Sequence, residues 1–214
     1  VKIYMGWDSE TPRKYLSAVK SLYHQNKSDL SKLEPIILDE MKTTFGFDFK
    51  VGSTEFSYTR FLVPALNDYD GWALFVDNDV IFLEDPSKII KEADEKYAVM
   101  VVKHNAYDAP TSKFGNRNVV NENYNRKNWS SVMLFNCGHS STKKLTPKIV
   151  SESSGLYLHQ FQWAKDSEIG SLNSKWNYLV DVNDEIQKDG ILHFTHGNPI
   201  KNTQHYDTWK YYQS

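Results

Sequence analysis

Two carboxylates stand two residues apart in the stretch Ala73-Leu74-Phe75-Val76-Asp77-Asn78-Asp79-Val80-Ile81-Phe82. The apolar run before them reads as a buried strand, which places the pair at the strand's carboxyl end, where open α/β sheets bind their ligands. Asp77 and Asp79 can converge on one hard divalent cation if the chain turns between them, and Asn78 favours a turn. Mg²⁺ or Mn²⁺ held this way usually meets ligand phosphate oxygens as well. Taken alone, the tripeptide reads as readily as a polar turn whose side chains cap backbone amides. The surrounding elements have to decide.

Those elements alternate in the manner of an α/β fold. Val1 to Met5 reads as a first strand ending at Gly6-Trp7-Asp8, where an aromatic or acidic residue is well placed to read a nucleotide base. The same loop is a helix entry, with Ser9 or Thr11 as cap and Pro12 as the first helical residue. Tyr15, Leu16, Val19, Leu22 and Tyr23 then recur on a helical stripe that predicts packing on the sheet and a helix end near Asn26. Leu33 to Leu38 reads as a short strand, with Pro35 pointing to an edge. Residues 39–55 read as loop. Ser57 to Leu66 reads as a helix whose last turn Pro64 limits, and Arg60 within it is either salt-bridged or within reach of a pyrophosphate.

Beyond the acidic pair, Asp85-Pro86 marks another helix start. Tyr97 to Val102 is a buried strand, followed by a polar stretch over 104–128 that is long enough to suggest function, with His104 as an acceptor-site candidate. Ser130 to Phe135 is the next strand. Thr146-Pro147 and Leu156 to Trp163 open short helices, and Ile191 to Gly197 is a late strand carrying His193 and His196. The tail from Lys201 reads as a surface wrap.

With 214 residues, 40% hydrophobic content and a net charge of −2, the chain fits one domain with a real core and is no general polyanion binder. No basic run or basic-aromatic alternation points to nucleic acid. The single cysteine, Cys137, excludes an internal disulfide and a cysteine-based zinc site. No apolar stretch has the length of a membrane span and no signal-peptide pattern opens the chain, so the expectation is a soluble, cytoplasmic protein. Because it begins at Val1, it is expected to be one domain of a longer chain.

In order, these motifs resemble the metal-dependent glycosyltransferases of the GT-A fold, most closely the family 8 type that includes glycogenin and bacterial galactosyltransferases. Thr54 to Pro86, TEFSYTRFLVPALNDYDGWALFVDNDVIFLEDP, is similar to that group's helix with an Arg and a Pro followed by the strand carrying Asp-x-Asp. FNCGH at 135–139 resembles its Asn-x-Gly segment, KDSEIGSLNSKWNYL its acidic segment with a Trp-Asn pair, and HFTHG at 193–197 its His-x-x-Gly strand. The spacing here is His-x-x-x-Gly, so His193 is preferred, for keeping the His-Phe order, and His196 is the alternative.

The resemblance implies a GT-A, Rossmann-like α/β fold: a mixed, mostly parallel central sheet flanked by helices in a single domain. Residues 1–103 form its nucleotide-binding half and 104–214 the half that takes the acceptor and completes the metal site. It implies transfer from a UDP-sugar donor to a carbohydrate or other hydroxyl acceptor. The ion would be Mn²⁺ (or Mg²⁺), bound by Asp77, Asp79 and His193, and a mixed oxygen and nitrogen set favours Mn²⁺ over Ca²⁺. Gly6, Trp7, Asp8, Arg60, Asp77, Asn78 and Asn136 would contact the nucleotide sugar. The family's Lys-Pro-Trp after the glycine is replaced by Asn198-Pro199-Ile200-Lys201, which leaves Lys201 as the candidate for the diphosphate. Asp166 and Glu168 are the candidates for the base that an inverting transferase requires, with Trp163 as an acceptor platform. Family 8 members retain configuration and need no such base.

Two other classes compete. Asp-nucleophile phosphatases and phosphotransferases also use Asp-x-Asp after a strand, but normally after the first one. A non-catalytic nucleotide-sugar or glycan-binding module would share the site without turnover. A calcium loop is excluded, because Phe82 stands where its glycine must be.

Overall fold

The computed structural model describes residues 1–26, 30–105, 125–180, 182–183, 185–199, 201 and 203–213. In chain order the first half contains β1 (Lys2–Gly6), α1 (Pro12–Gln25), β2 (Leu33–Ile36), α2 (Leu38–Phe45), a 3₁₀ turn at Thr59–Leu62 leading into α3 (Val63–Leu66), β3 (Trp72–Val76) and β4 (Val80–Phe82). The second half contains β5 (Val99–Val101), β6 (Val132–Asn136), α4 (Pro147–Glu152), α5 (Gly155–His159), β7 (Ile169–Ser171), β8 (Tyr178–Leu179), β9 (Ile191–His193) and α6 (Tyr206–Gln213).

Six strands form one sheet in the order β2-β1-β3-β6-β5-β7. Only β6 runs against its neighbours; the other pairings are parallel. Ala73 and Phe75 of β3 pack in one core layer with Phe56, Phe61 and Phe135, while Leu74 and Val76 pack in the other with Ala18, Leu22 and Leu134. Burial on both faces is why the segment is continuously apolar rather than alternating. β4, β9 and β8 form a second, three-stranded sheet. The chain therefore leaves the large sheet at Val76 and enters the small one at Val80, and Asp77-Asn78-Asp79 is the link between the two.

Several expectations are corrected. The buried face of α1 is Ser17, Ala18, Ser21 and Leu22, while Leu16 and Tyr23 are exposed. The small residues admit β4 closely enough for the Phe82 amide to donate to Ser21 Oγ at 3.0 Å. Residues 38–45 are helical, closed by Gly46 at φ 72°, whose amide donates to the Lys42 carbonyl at 2.9 Å. The left-handed conformation suits a glycine cap. Ser57 to Leu66 is a 3₁₀ turn joined to one α turn, and Pro64 stands at the start of that turn, where no hydrogen bond is lost. Asp85 caps as expected, accepting from the Ser87 amide at 2.8 Å, although the helix it opens is 3₁₀. The tail is helical: α6 packs on α1, with Gln213 Nε2 donating to Ser17 Oγ at 2.8 Å and Trp209 against Phe194. Most of the long polar stretch, 106–124, lies outside the described residues.

Candidate functional site

The link between the sheets is tied down at both ends. The Asp77 amide donates to the Ser131 carbonyl at 2.9 Å, and the Asp79 carbonyl accepts from the Phe194 amide at 2.9 Å. In the small sheet, His193 lies opposite Val80 and beside Leu179. Asp77, Asp79 and His193 are thereby gathered with one ligand atom each inside 4.8 Å of one another. His193 Nε2 is 3.2 Å from Asp79 Oδ1 and 3.9 Å from Asp77 Oδ2.

The orientation of that imidazole is set from behind. Asn177, fully buried, donates through Nδ2 to the Asn128 carbonyl at 2.9 Å, which leaves its Oδ1 to accept. His193 Nδ1 is 2.9 Å from this oxygen and must carry the proton. Nε2 is thereby turned toward the two carboxylates, where it can ligate a cation placed between them, and the same backing is found behind metal-ligating histidines. Two carboxylates and an imidazole fit a divalent ion of the Mn²⁺ or Mg²⁺ kind.

Two cations flank the pair differently. Arg60 is buried at 5% exposure, with Nη1 2.8 Å from Asp77 Oδ1 and 2.9 Å from the Ser130 carbonyl. The Phe56 and Phe75 rings stand 5.1 Å from its guanidinium carbon. Its role here is to hold Asp77. Lys14, on the first turn of α1, places Nζ 3.6 Å from Asp79 Oδ2.

Gly6-Trp7-Asp8 ends β1, whose Met5 is paired with Val76, so this loop borders the acidic link. A Cβ on Gly6 would fall 2.4 Å from the Phe56 ring, so only glycine fits. Trp7 meets Tyr15 edge-on at 5.1 Å. Asp8 is buried and accepts from the Glu10 amide at 2.9 Å and the Glu55 amide at 3.1 Å, pinning two loops together. Asn78 is buried, its Nδ2 3.5 Å from Thr11 Oγ1.

Other predicted residues are not brought to this place. Asn136 pairs with Trp72, four residues of strand from the Val132–Val76 pairing beside Asp77, roughly 13 Å. Its amide donates to the carbonyl and carboxylate of Glu95. Because β6 is antiparallel, the segment beside Asp77 is the one that precedes the strand, Asn128 to Ser131. Glu168 precedes β7, and its carbonyl accepts from the Ala98 amide at 2.8 Å, at the same far end as Asn136. The Lys165 amide and then the Ser141 hydroxyl, both donating to its carboxylate, hold that carboxyl below its ordinary range. Asp166 is 83% exposed and paired with Arg126 at 2.6 Å. Trp163 is buried against Phe135 and Phe161, not open as a platform. His196 is not part of the ligand cluster among the described residues, and Lys201 is exposed.

Lys14 and His159 are not singled out by the sequence. His159 at the end of α5 has Nδ1 2.7 Å from Ser130 Oγ, and the Ser130 carbonyl accepts from Arg60. His104 follows β5 with Nε2 buried and, among the described residues, without a hydrogen-bond partner, and burial first, then the nearby His193, lowers its pKa to about 4. Trp176-Asn177 was the one signal for the histidine's backing. Nothing in the sequence marked Lys14 or His159.

The chain is similar to Protein CDI of Arabidopsis thaliana, with 37% identity over 217 aligned positions covering 98% of this chain and 81% of that protein. No protein-family model matches it. Among solved structures it is similar to the glycosyltransferase GlyE of Streptococcus pneumoniae TIGR4, with a TM-score of 0.61 and 17% identity over 99% of this chain and 59% of that one. The bifunctional glycosyltransferase WbbM gives a TM-score of 0.68 and 12% identity over all of this chain and 49% of that one. The galactosyltransferase LgtC gives 0.57 and 10%, over 100% and 95%. The shared fold is the GT-A glycosyltransferase fold, and the chain spans 59% and 49% of the GlyE and WbbM chains.

Proposed function

Because the chain belongs to the family of Arabidopsis thaliana Protein CDI and has the fold of GT-A glycosyltransferases, we propose that it transfers a sugar from a UDP-sugar donor to a carbohydrate or other hydroxyl acceptor. The observation that carries this reading is the Asp77–Asp79–His193 cluster at the carboxyl end of β3, with Nε2 of His193 turned into it. Asp77, Asp79 and His193 would hold Mn²⁺ or Mg²⁺. Such an ion, when bound, supplies positive charge to the diphosphate on which negative charge gathers as the anomeric bond breaks.

The protein's own groups do the rest. Arg60 fixes the rotamer of Asp77, and Asn177 fixes that of His193, so the ligands need little reorganisation. Gly6 and Trp7 border the place for the base, and Asp8 shapes the loops around it. With Asp166 and Glu168 away from the cluster, neither serves as base for attack at the anomeric carbon. The resemblance to family 8, whose members retain configuration, supports a retaining reaction. The chain's first half would bind the nucleotide, and its second half completes the metal site through His193 and Asn177. A phosphatase reading has less support, since the acidic pair follows β3 and links two sheets.

Calorimetry tests the proposal. UDP is expected to bind far more tightly with Mn²⁺ than with EDTA, and Asp79→Ala to remove the difference. Equal affinity in both conditions would overturn it, and metal-dependent UDP binding without turnover of any UDP-sugar would leave a binding module in its place.

A further inference from the structure

Resting on that reading, we propose that Lys14, whose ammonium lies beside Asp79, is the residue that grips the donor's diphosphate. The two cations beside the acidic pair are built for different work. Arg60 is locked by a carboxylate at 2.8 Å, a carbonyl at 2.9 Å and two aromatic rings. Lys14 is 3.6 Å from Asp79 Oδ2, a separation typical of an ion pair without a good hydrogen bond. Its side chain is 18% exposed beside the 14% of Asp79, and a lysine's flexible stem lets the ammonium relocate. Lys201, which the sequence offers for the diphosphate, is exposed.

Charge balance gives the inference its content. The formal charges of Asp77, Asp79, Arg60 and Lys14 cancel. A divalent ion and a doubly charged diphosphate added together keep that balance, whereas either alone leaves it uncompensated in a largely buried place. A metal held by Asp79 would repel the Lys14 ammonium, and the donor's phosphates would be the anion to which that ammonium could turn. Metal and nucleotide should therefore bind cooperatively, with Lys14 opposing the first and supporting the second.

This predicts effects of opposite sign for one substitution. In calorimetric titrations of the full chain, Lys14→Met is expected to bind Mn²⁺ alone more tightly than wild type. It should bind UDP in saturating Mn²⁺ about tenfold more weakly, the scale of one charge-assisted contact, with the affinity for uridine unchanged. Lys14→Arg, which keeps the charge, should retain most of the UDP affinity. UDP binding by Lys14→Met at wild-type strength would overturn the inference while leaving the metal site intact. A parallel loss of uridine and UDP binding would overturn it too, as the mark of a packing role. Wild-type protein that binds UDP equally with Mn²⁺ and EDTA would instead sink the donor reading itself.

Discussion

Asn177 accepts from Nδ1 of His193 through its side-chain oxygen, while its amide nitrogen donates to the Asn128 carbonyl. Touching neither carboxylate, it decides which imidazole nitrogen faces them. Asn177→Leu removes both bonds and leaves Nδ1 of His193 without its acceptor. Metal affinity is expected to fall by about 10- to 100-fold, the usual effect of removing such a backing residue. Manganese titration followed by electron paramagnetic resonance would check this, and an affinity within twofold of wild type would refute it. At this scale the sequence was partly legible. The acidic pair and a late histidine, His193 or His196, follow from type and order, and the Trp176-Asn177 pair is visible without its purpose. Lys14 was not readable, because a lysine on a helix looks the same whether it faces water or a carboxylate that is distant in sequence.

Among elements, β9 delivers His193, and its placement depends on the turn before it. Gly190 has φ 82°, a Cβ there would fall 2.1 Å from the Lys175 carbonyl oxygen, and its own carbonyl accepts from the Leu83 amide at 2.8 Å. Gly190→Ala therefore combines left-handed strain with a backbone clash and should destabilise the fold by about 2 kcal/mol or more. Gly71, at φ 59° with nothing within 4 Å of an added Cβ, is the control. Gly71→Ala should cost only the conformational strain, about 1 kcal/mol. Urea unfolding of both variants measures the difference, and equal losses would contradict the argument from close approach. The same scale explains two misreadings. The helix at 38–45 carried Asp39-Glu40 in its first turn and Gly46 after its end, yet its short apolar pattern resembled a loop. For β6 the strand itself was legible, but its direction was not. That direction puts Asn128 to Ser131, rather than Asn136, beside the acidic link.

For the whole molecule, His104 ties folding to acidity. Burial first, and His193 second, lower its pKa to about 4, whereas an unfolded histidine titrates near ~6.5. Between those values the unfolded chain binds more protons, so stability rises with pH across that window. The contribution is fully present above the unfolded value and is lost as pH falls toward the folded one. Glu168 adds its own loss only at lower pH, in the carboxylate range. Comparing urea midpoints at pH 7 and pH 5, wild type should lose more than His104→Gln. Equal losses would mean that His104 is not held neutral. No helix among the described residues is long and apolar enough to cross a membrane.

The composition of the centre follows from residue types and their order: an acidic pair at the end of a doubly buried strand, an arginine before it and a histidine on a late strand. Continuous apolar runs and capping residues are local signals, set by burial and backbone preference, and they survive reading in one dimension. Tertiary structure alone decided which ends of the strands meet, because side-chain periodicity records faces but not the direction of pairing. That is why Asn136 and Glu168 lie away from the centre while Asn128 to Ser131 border it. Among the described residues it also gathers His193, not His196, with the two carboxylates, through a register that sets His193 opposite Val80. Spacing to a glycine further along the chain could not have settled that choice.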